Sequence, residues 1–149
     1  MPEGCTTVIF EHPTRGVRRR ALKAFLADLN LRLGGSPVTC VISTDARLRS
    51  LNQRFLGKDY PTDVLSFAGP DNGLAISYDR AAAQAAERGH GVEEELRILI
   101  LHGLLHLTGL DHERDDGEMA RAETRWRKRL GLPHGLIERG LIERARRKA

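Results

Sequence analysis

A chain of 149 residues, 40% of them hydrophobic, can bury one ordinary core, so a single domain is expected. Its strongest apolar run, Ile98–Leu101 and then Leu104–Leu107 after a histidine and a glycine, falls well short of the roughly 20 residues that a membrane-spanning helix needs. The formal net charge of +4 is modest, but basic residues gather in Arg15–Lys23, in Arg121–Arg129 and in the final "ERARRKA", while the stretch from Asp59 to Glu95 is net acidic. Such clusters either suit a polyanionic partner or form solvated helix faces.

In chain order, "TTVIF" (Thr6–Phe10) reads as a short strand. Val17–Leu33 carries Leu22, Phe25, Leu26, Leu29 and Leu33 at helical spacing before Gly34 and Gly35 stop it. "VTCVIS" (Val38–Ser43) is a β-branched strand, and Thr44 or Asp45 can cap a helix that turns Leu48, Leu51 and Phe55 inward and ends at Gly57. "TDVLSF" (Thr62–Phe67) and "LAIS" (Leu74–Ser77) read as strands joined by the turn residues of "AGPDNG". Helices follow over Tyr78–Arg88, Val92–Thr108 and about Asp115–Leu130, with a last basic helix after Pro133. The expected architecture is α+β, a single small domain with a mixed sheet of about four strands, helices packed on it and a metal site on a central helix.

"LHGLLHLTGLDH" (Leu101–His112) carries the chemistry. His102 and His106 are four apart, so on a helix they project from one face. Gly109 can take positive φ, end the helix and let the chain return His112 towards the other two. Three imidazoles with the fourth position open are the donor set of a catalytic zinc, since structural zinc is normally closed by four protein ligands. Asp111, beside His112, can orient a ligand imidazole, accept a proton from bound water, or simply make a turn. His12, His90 and His134 lie in loops beside proline or glycine without partners at ligand spacing, and exposure is expected for each. Cys5 and Cys40 form no C-x-x-C pair and read as buried thiols. The start of the chain lacks a basic stretch followed by an apolar one, so a cytoplasmic location is expected.

The spacing H-x-x-x-H-x-x-G-x-x-H is also that of metzincin proteases, in which a glutamate follows the first histidine and takes the proton from zinc-bound water. Gly103 cannot do this, which disfavours peptide hydrolysis by that route. A zinc ion still acts as a Lewis acid on a phosphoryl oxygen, and RNA brings its own nucleophile in the 2′-hydroxyl. A glutamate at 103 would be expected to repel an incoming phosphate; alternatively, glycine stands there because a neighbouring element packs closely on the helix.

The chain resembles the YbeY endoribonucleases, bacterial rRNA maturation factors. "HGLLHLTGLDH" is similar to that family's H-G-x-L-H-L-x-G-Y-D-H, with Leu110 in place of tyrosine. "LNQRFLGKDYPTDVLSF" (Leu51–Phe67) and "DDGEMARAETRWRKRLG" (Asp115–Gly131) resemble its second and third signatures. The resemblance implies His102, His106 and His112 as zinc ligands, one zinc per chain, and single-strand endoribonuclease activity in 16S rRNA 3′ maturation and late ribosome quality control. It implies RNA and the small ribosomal subunit as partners, with ribosomal proteins or a ribosome-assembly GTPase as further candidates, and neither DNA nor a membrane. Two departures stand out: Leu56 replaces an arginine common after the aromatic of the second motif, leaving Arg54 and Lys58 as the nearest candidates for RNA phosphate. "NGLAIS" also lacks the aspartate of the family's G-D-I. The competing readings are a non-enzymatic, zinc-containing ribosome assembly factor and a peptidase.

Overall fold

The computed structural model describes residues 6–69 and 72–148, so Cys5 lies outside the described part. The chain alternates strand and helix before turning wholly helical: β1 (Thr7–Phe10), α1 (Arg19–Arg32), β2 (Val38–Ser43), α2 (Asp45–Leu56), β3 (Val64–Phe67), β4 (Asn72–Ser77), α3 (Tyr78–Arg88), α4 (Val92–Leu107), α5 (Glu118–Leu130) and α6 (Leu136–Lys148). The four strands form one sheet in the order β1-β2-β4-β3. β1 and β2 are parallel, as are β2 and β4, whereas β3 runs antiparallel to β4. The expected mixed α+β architecture is therefore present.

Side-chain alternation along the strands divides the interior in two. Val8, Val38, Cys40, Ile42, Leu74 and Ile76 join α1 and α4 in the main core, while Leu65 and Ala75 turn to the other face and meet Leu48 of α2. Cys40 is the buried thiol expected, and burial pushes its pKa up to about 12. α4 runs through the main core, buried without a break from Ile98 to Leu105, which explains an apolar sequence lacking the stripe of a surface helix.

Three local expectations are corrected. Phe55 is 57% exposed instead of inward, because the last turn of α2 runs past the small Leu48–Leu65–Ala75 cluster and leaves Phe55 edge-on to Phe67. α5 begins at Glu118, not near Asp115: the Asp115 carboxylate accepts the backbone N–H groups of Gly117 and Met119, both at 2.9 Å, and so holds the turn before the helix. His90 is not an exposed loop residue. Its ring is 10% exposed, with Nε2 2.7 Å from the buried Glu95 carboxylate.

Glu95 is the anchor for the C-terminal helix. It accepts two hydrogen bonds from the Arg139 guanidinium of α6, at 2.7 and 2.8 Å, with both residues buried. α6 is also held to α5 by the paired Arg127 and Glu138. Removing one partner of a buried pair leaves an uncompensated charge, so Arg139→Ala should lower unfolding stability by about 3–5 kcal/mol, measured by chemical denaturation.

Candidate metal centre

The site is assembled where α4 ends. His102 and His106 stand one turn apart on α4, and Gly109, at φ 101°, reverses the chain behind the helix. Its N–H donates to the His106 carbonyl at 3.0 Å and that of Leu110 to the Leu105 carbonyl at 3.4 Å. His112 is thereby carried back to the other two. Ring centroids are 4.8 Å apart for His102 and His106, and 5.6 Å for each of them with His112. One potential ligand atom from each lies within 4.8 Å of the others, a group that could hold a metal ion.

Two of the imidazoles are oriented from behind. His102 Nδ1 lies 2.8 Å from Oε2 of the fully buried Glu123 on α5. A carboxylate only accepts, so Nδ1 is the donor and Nε2 keeps its lone pair for a metal. His106 Nδ1 likewise donates to the Leu110 carbonyl at 3.1 Å. Burial, with the neighbouring His102 and His112, holds His106 below the usual histidine range and so in the neutral form that a metal requires. The donor chemistry and ring orientation thus fit a transition metal such as zinc.

Glu123 was invisible to spacing arguments, since it lies on another helix 21 residues from its partner; its position in the third signature was the only signal. Its other oxygen, Oε1, accepts the N–H of Ile137 at 2.9 Å, in the first turn of α6. Asp111, in contrast, does not orient an imidazole. One of its oxygens accepts the Glu113 N–H at 3.1 Å, and the side chain stays 42% exposed at the cleft wall.

A cleft of about 530 Å³ opens in front of the histidines, lined among others by Leu56, Thr62, Asp63, Val64 and Ser66. Residues of the second motif therefore supply one wall. Asp63 turns the chain into β3 by accepting the Val64 N–H at 2.8 Å, and buried Asn52 fixes the preceding loop through the Tyr60 carbonyl at 2.9 Å. Arg54 and Lys58 flank Leu56 but do not line this cleft; the Arg54 guanidinium lies 5.6 Å from the Phe55 ring centroid.

Gly103 answers a packing demand. A Cβ there would come within 2.6 Å of Leu74 Cδ2 and 3.3 Å of Val64 Cγ2, and Ser66 donates to the Gly103 carbonyl at 3.2 Å. The glycine lets the β3–β4 hairpin close directly onto the metal helix, the packing alternative among the two sequence expectations.

The fold and site together define a small α+β protein with a three-histidine cluster that could hold a metal ion, at the end of a buried helix. The sequence model described as Endoribonuclease YbeY matches residues 7–131. Proteins named Endoribonuclease YbeY are similar along most of their length: 53% identity with that of Solibacter usitatus, covering 93% of this chain and 96% of the relative, and 46% with that of Koribacter versatilis, covering 89% and 90%. The solution structure of TM1509 from Thermotoga maritima matches with a TM-score of 0.57 at 27% identity, covering 80% of this chain and 86% of that one. The chain belongs to the YbeY endoribonuclease family.

Two substitutions probe this geometry. Glu123→Gln keeps the shape but presents an amide that cannot replace the carboxylate at both contacts, so zinc affinity should fall about 10–100-fold in a chelator competition, with the circular dichroism spectrum retained. Gly103→Ala gains roughly 1 kcal/mol of helix propensity. Overpacking against Leu74 costs about 1–3 kcal/mol, so its melting temperature should fall.

Proposed function

We propose that this protein is a zinc-dependent, single-strand-specific endoribonuclease acting in 16S rRNA 3′-end maturation and late ribosome quality control. The observation that carries the reading is the convergence of His102, His106 and His112 at the head of an open cleft, in a chain of the YbeY family. These three side chains would hold the zinc, with Glu123 keeping the His102 imidazole in place and the Leu110 carbonyl that of His106. A bound zinc would supply Lewis-acid stabilisation of a phosphoryl oxygen and lower the pKa of a coordinated water to about 7.

The protein's own groups supply the rest. Asp111 keeps an exposed carboxylate at the cleft wall and makes no hydrogen bond to an imidazole among the described residues, so its role in this reading is that of proton acceptor from the attacking oxygen. Beside the cleft, Phe55 and Tyr60 are 57% and 52% exposed. Aromatic faces of this kind stack on unpaired bases, which supports a single-stranded substrate. Arg54 and Lys58, flanking Leu56, would meet phosphates where the strand leaves the cleft. RNA is the partner, in the form of the 16S precursor on the small ribosomal subunit, with ribosomal proteins or an assembly GTPase as further contacts. Among the described residues no helix is long and apolar enough to cross a membrane, in keeping with action in the cytoplasm.

Elemental analysis of the zinc-loaded protein should give one zinc per chain. That protein should cut a fluorescent single-stranded RNA, and a His102→Ala, His106→Ala double variant should lose both metal and cleavage. Binding of rRNA without cleavage by the zinc-loaded parent would favour a non-enzymatic assembly factor instead.

A further inference from the structure

The charge of the main cleft poses a problem for an RNA nuclease. Its charged lining residues other than histidine are Asp63, Asp111 and Glu113, with no lysine or arginine among the described residues that form it. An RNA strand carries one negative charge per nucleotide, and binding normally depends on cationic side chains that displace its counterions. A metal ion can neutralise the phosphate under attack. Within the cleft itself the neighbouring phosphates find, among the described residues, carboxylates as the only charged side chains besides the histidines.

A second depression, of about 300 Å³, adjoins the same histidines. His102 and His112 line both it and the main cleft, and the remaining lining comes from α6: Leu136, Ile137, Gly140 and Arg144. Ile137, Gly140 and Arg144 are three and four residues apart, which places them along one helix face. Gly140 removes side-chain bulk in the middle of that face. The face is held at the metal centre by the Ile137 N–H on Glu123, the same carboxylate that orients His102, and by the buried Arg139–Glu95 pair. Arg144 therefore belongs to an anchored helix, although α6 lies beyond the residues matched by the family model.

The Arg144 guanidinium is available. Its Nε donates to the Gly140 carbonyl at 3.3 Å, its terminal nitrogens have no hydrogen-bond partner among the described residues, and no described carboxylate lies within ion-pair distance. Arg127 and Arg139, by comparison, are committed to Glu138 and Glu95. A free guanidinium presents paired donors matched to phosphate oxygens.

We propose that Arg144 binds a backbone phosphate adjacent to the scissile one, so that the RNA strand crosses the histidines from the α6 depression into the main cleft. This rests on the endoribonuclease reading. Steady-state cleavage of single-stranded RNA by zinc-loaded parent, Arg144→Ala, Arg144→Lys and Arg146→Ala proteins tests it, with zinc content and RNA anisotropy measured alongside. Arg146 is exposed on the same helix and does not line the depression, so its variant reports general loss of charge.

For Arg144→Ala, KM and the RNA dissociation constant should rise about tenfold while zinc stays at one per chain, and the salt slope of log(kcat/KM) should flatten by about 0.7. Arg144→Lys should recover part of the loss, and Arg146→Ala should stay within about twofold of the parent. Arg144→Ala kinetics and affinity equal to those of Arg146→Ala, in a parent that binds and cleaves RNA, would overturn the role of Arg144 alone. Loss of zinc from Arg144→Ala would overturn it too, by making the residue a support of the metal site. A zinc-loaded parent that neither binds nor cuts RNA would remove the endoribonuclease reading and this inference together.

Discussion

The closeness of α4 to the β3–β4 hairpin is the constraint on which the site depends. At Gly103 no Cβ separates the helix from Leu74 and Val64, and Ser66 reaches the helix carbonyl directly. This seats the first histidine turn against the sheet and makes β3 the cleft wall. The same strand then serves two purposes by alternation. Val64 and Ser66 face the metal helix, while Leu65 turns to the small core under α2. The residue that separates this motif from a zinc protease signature is therefore matched to its packing, since any side chain at 103 would require Leu74 and Val64 to shift.

A second dependence runs through Glu123. One buried carboxylate serves His102 through one oxygen and the start of α6 through the other, so the orientation of the His102 imidazole and the placement of the last helix are coupled. Space for it is made by Gly135, where a Cβ would collide with the carboxylate. Burying a carboxylate is costly unless its oxygens are satisfied, and these are. The arrangement also explains why α6, whose sequence reads as a solvated basic helix, has one face turned to the centre.

The charge distribution follows the same division of labour. Among the described residues carboxylates line the main cleft, whereas Arg144 lines the depression across the histidines and Arg54 and Lys58 lie outside the cleft lining.

Much of this protein is set by patterns that act within a few residues. Helical spacing defines α1 and α4, β-branched runs define β2, and H-x-x-x-H followed by glycine and a third histidine determines the convergence of the three imidazoles, because a helix turn and a positive-φ reversal are local events. The tertiary structure decided what those patterns cannot reach. Glu123 meets His102 across 21 residues and Arg139 meets Glu95 across 44, and both contacts depend on how α4, α5 and α6 cross. The exposure of Phe55 and the burial of His90 were likewise decided by where a helix outruns its core and where a buried carboxylate lies. Helical period tells which face a residue occupies; only the summed packing of distant elements tells what that face will meet.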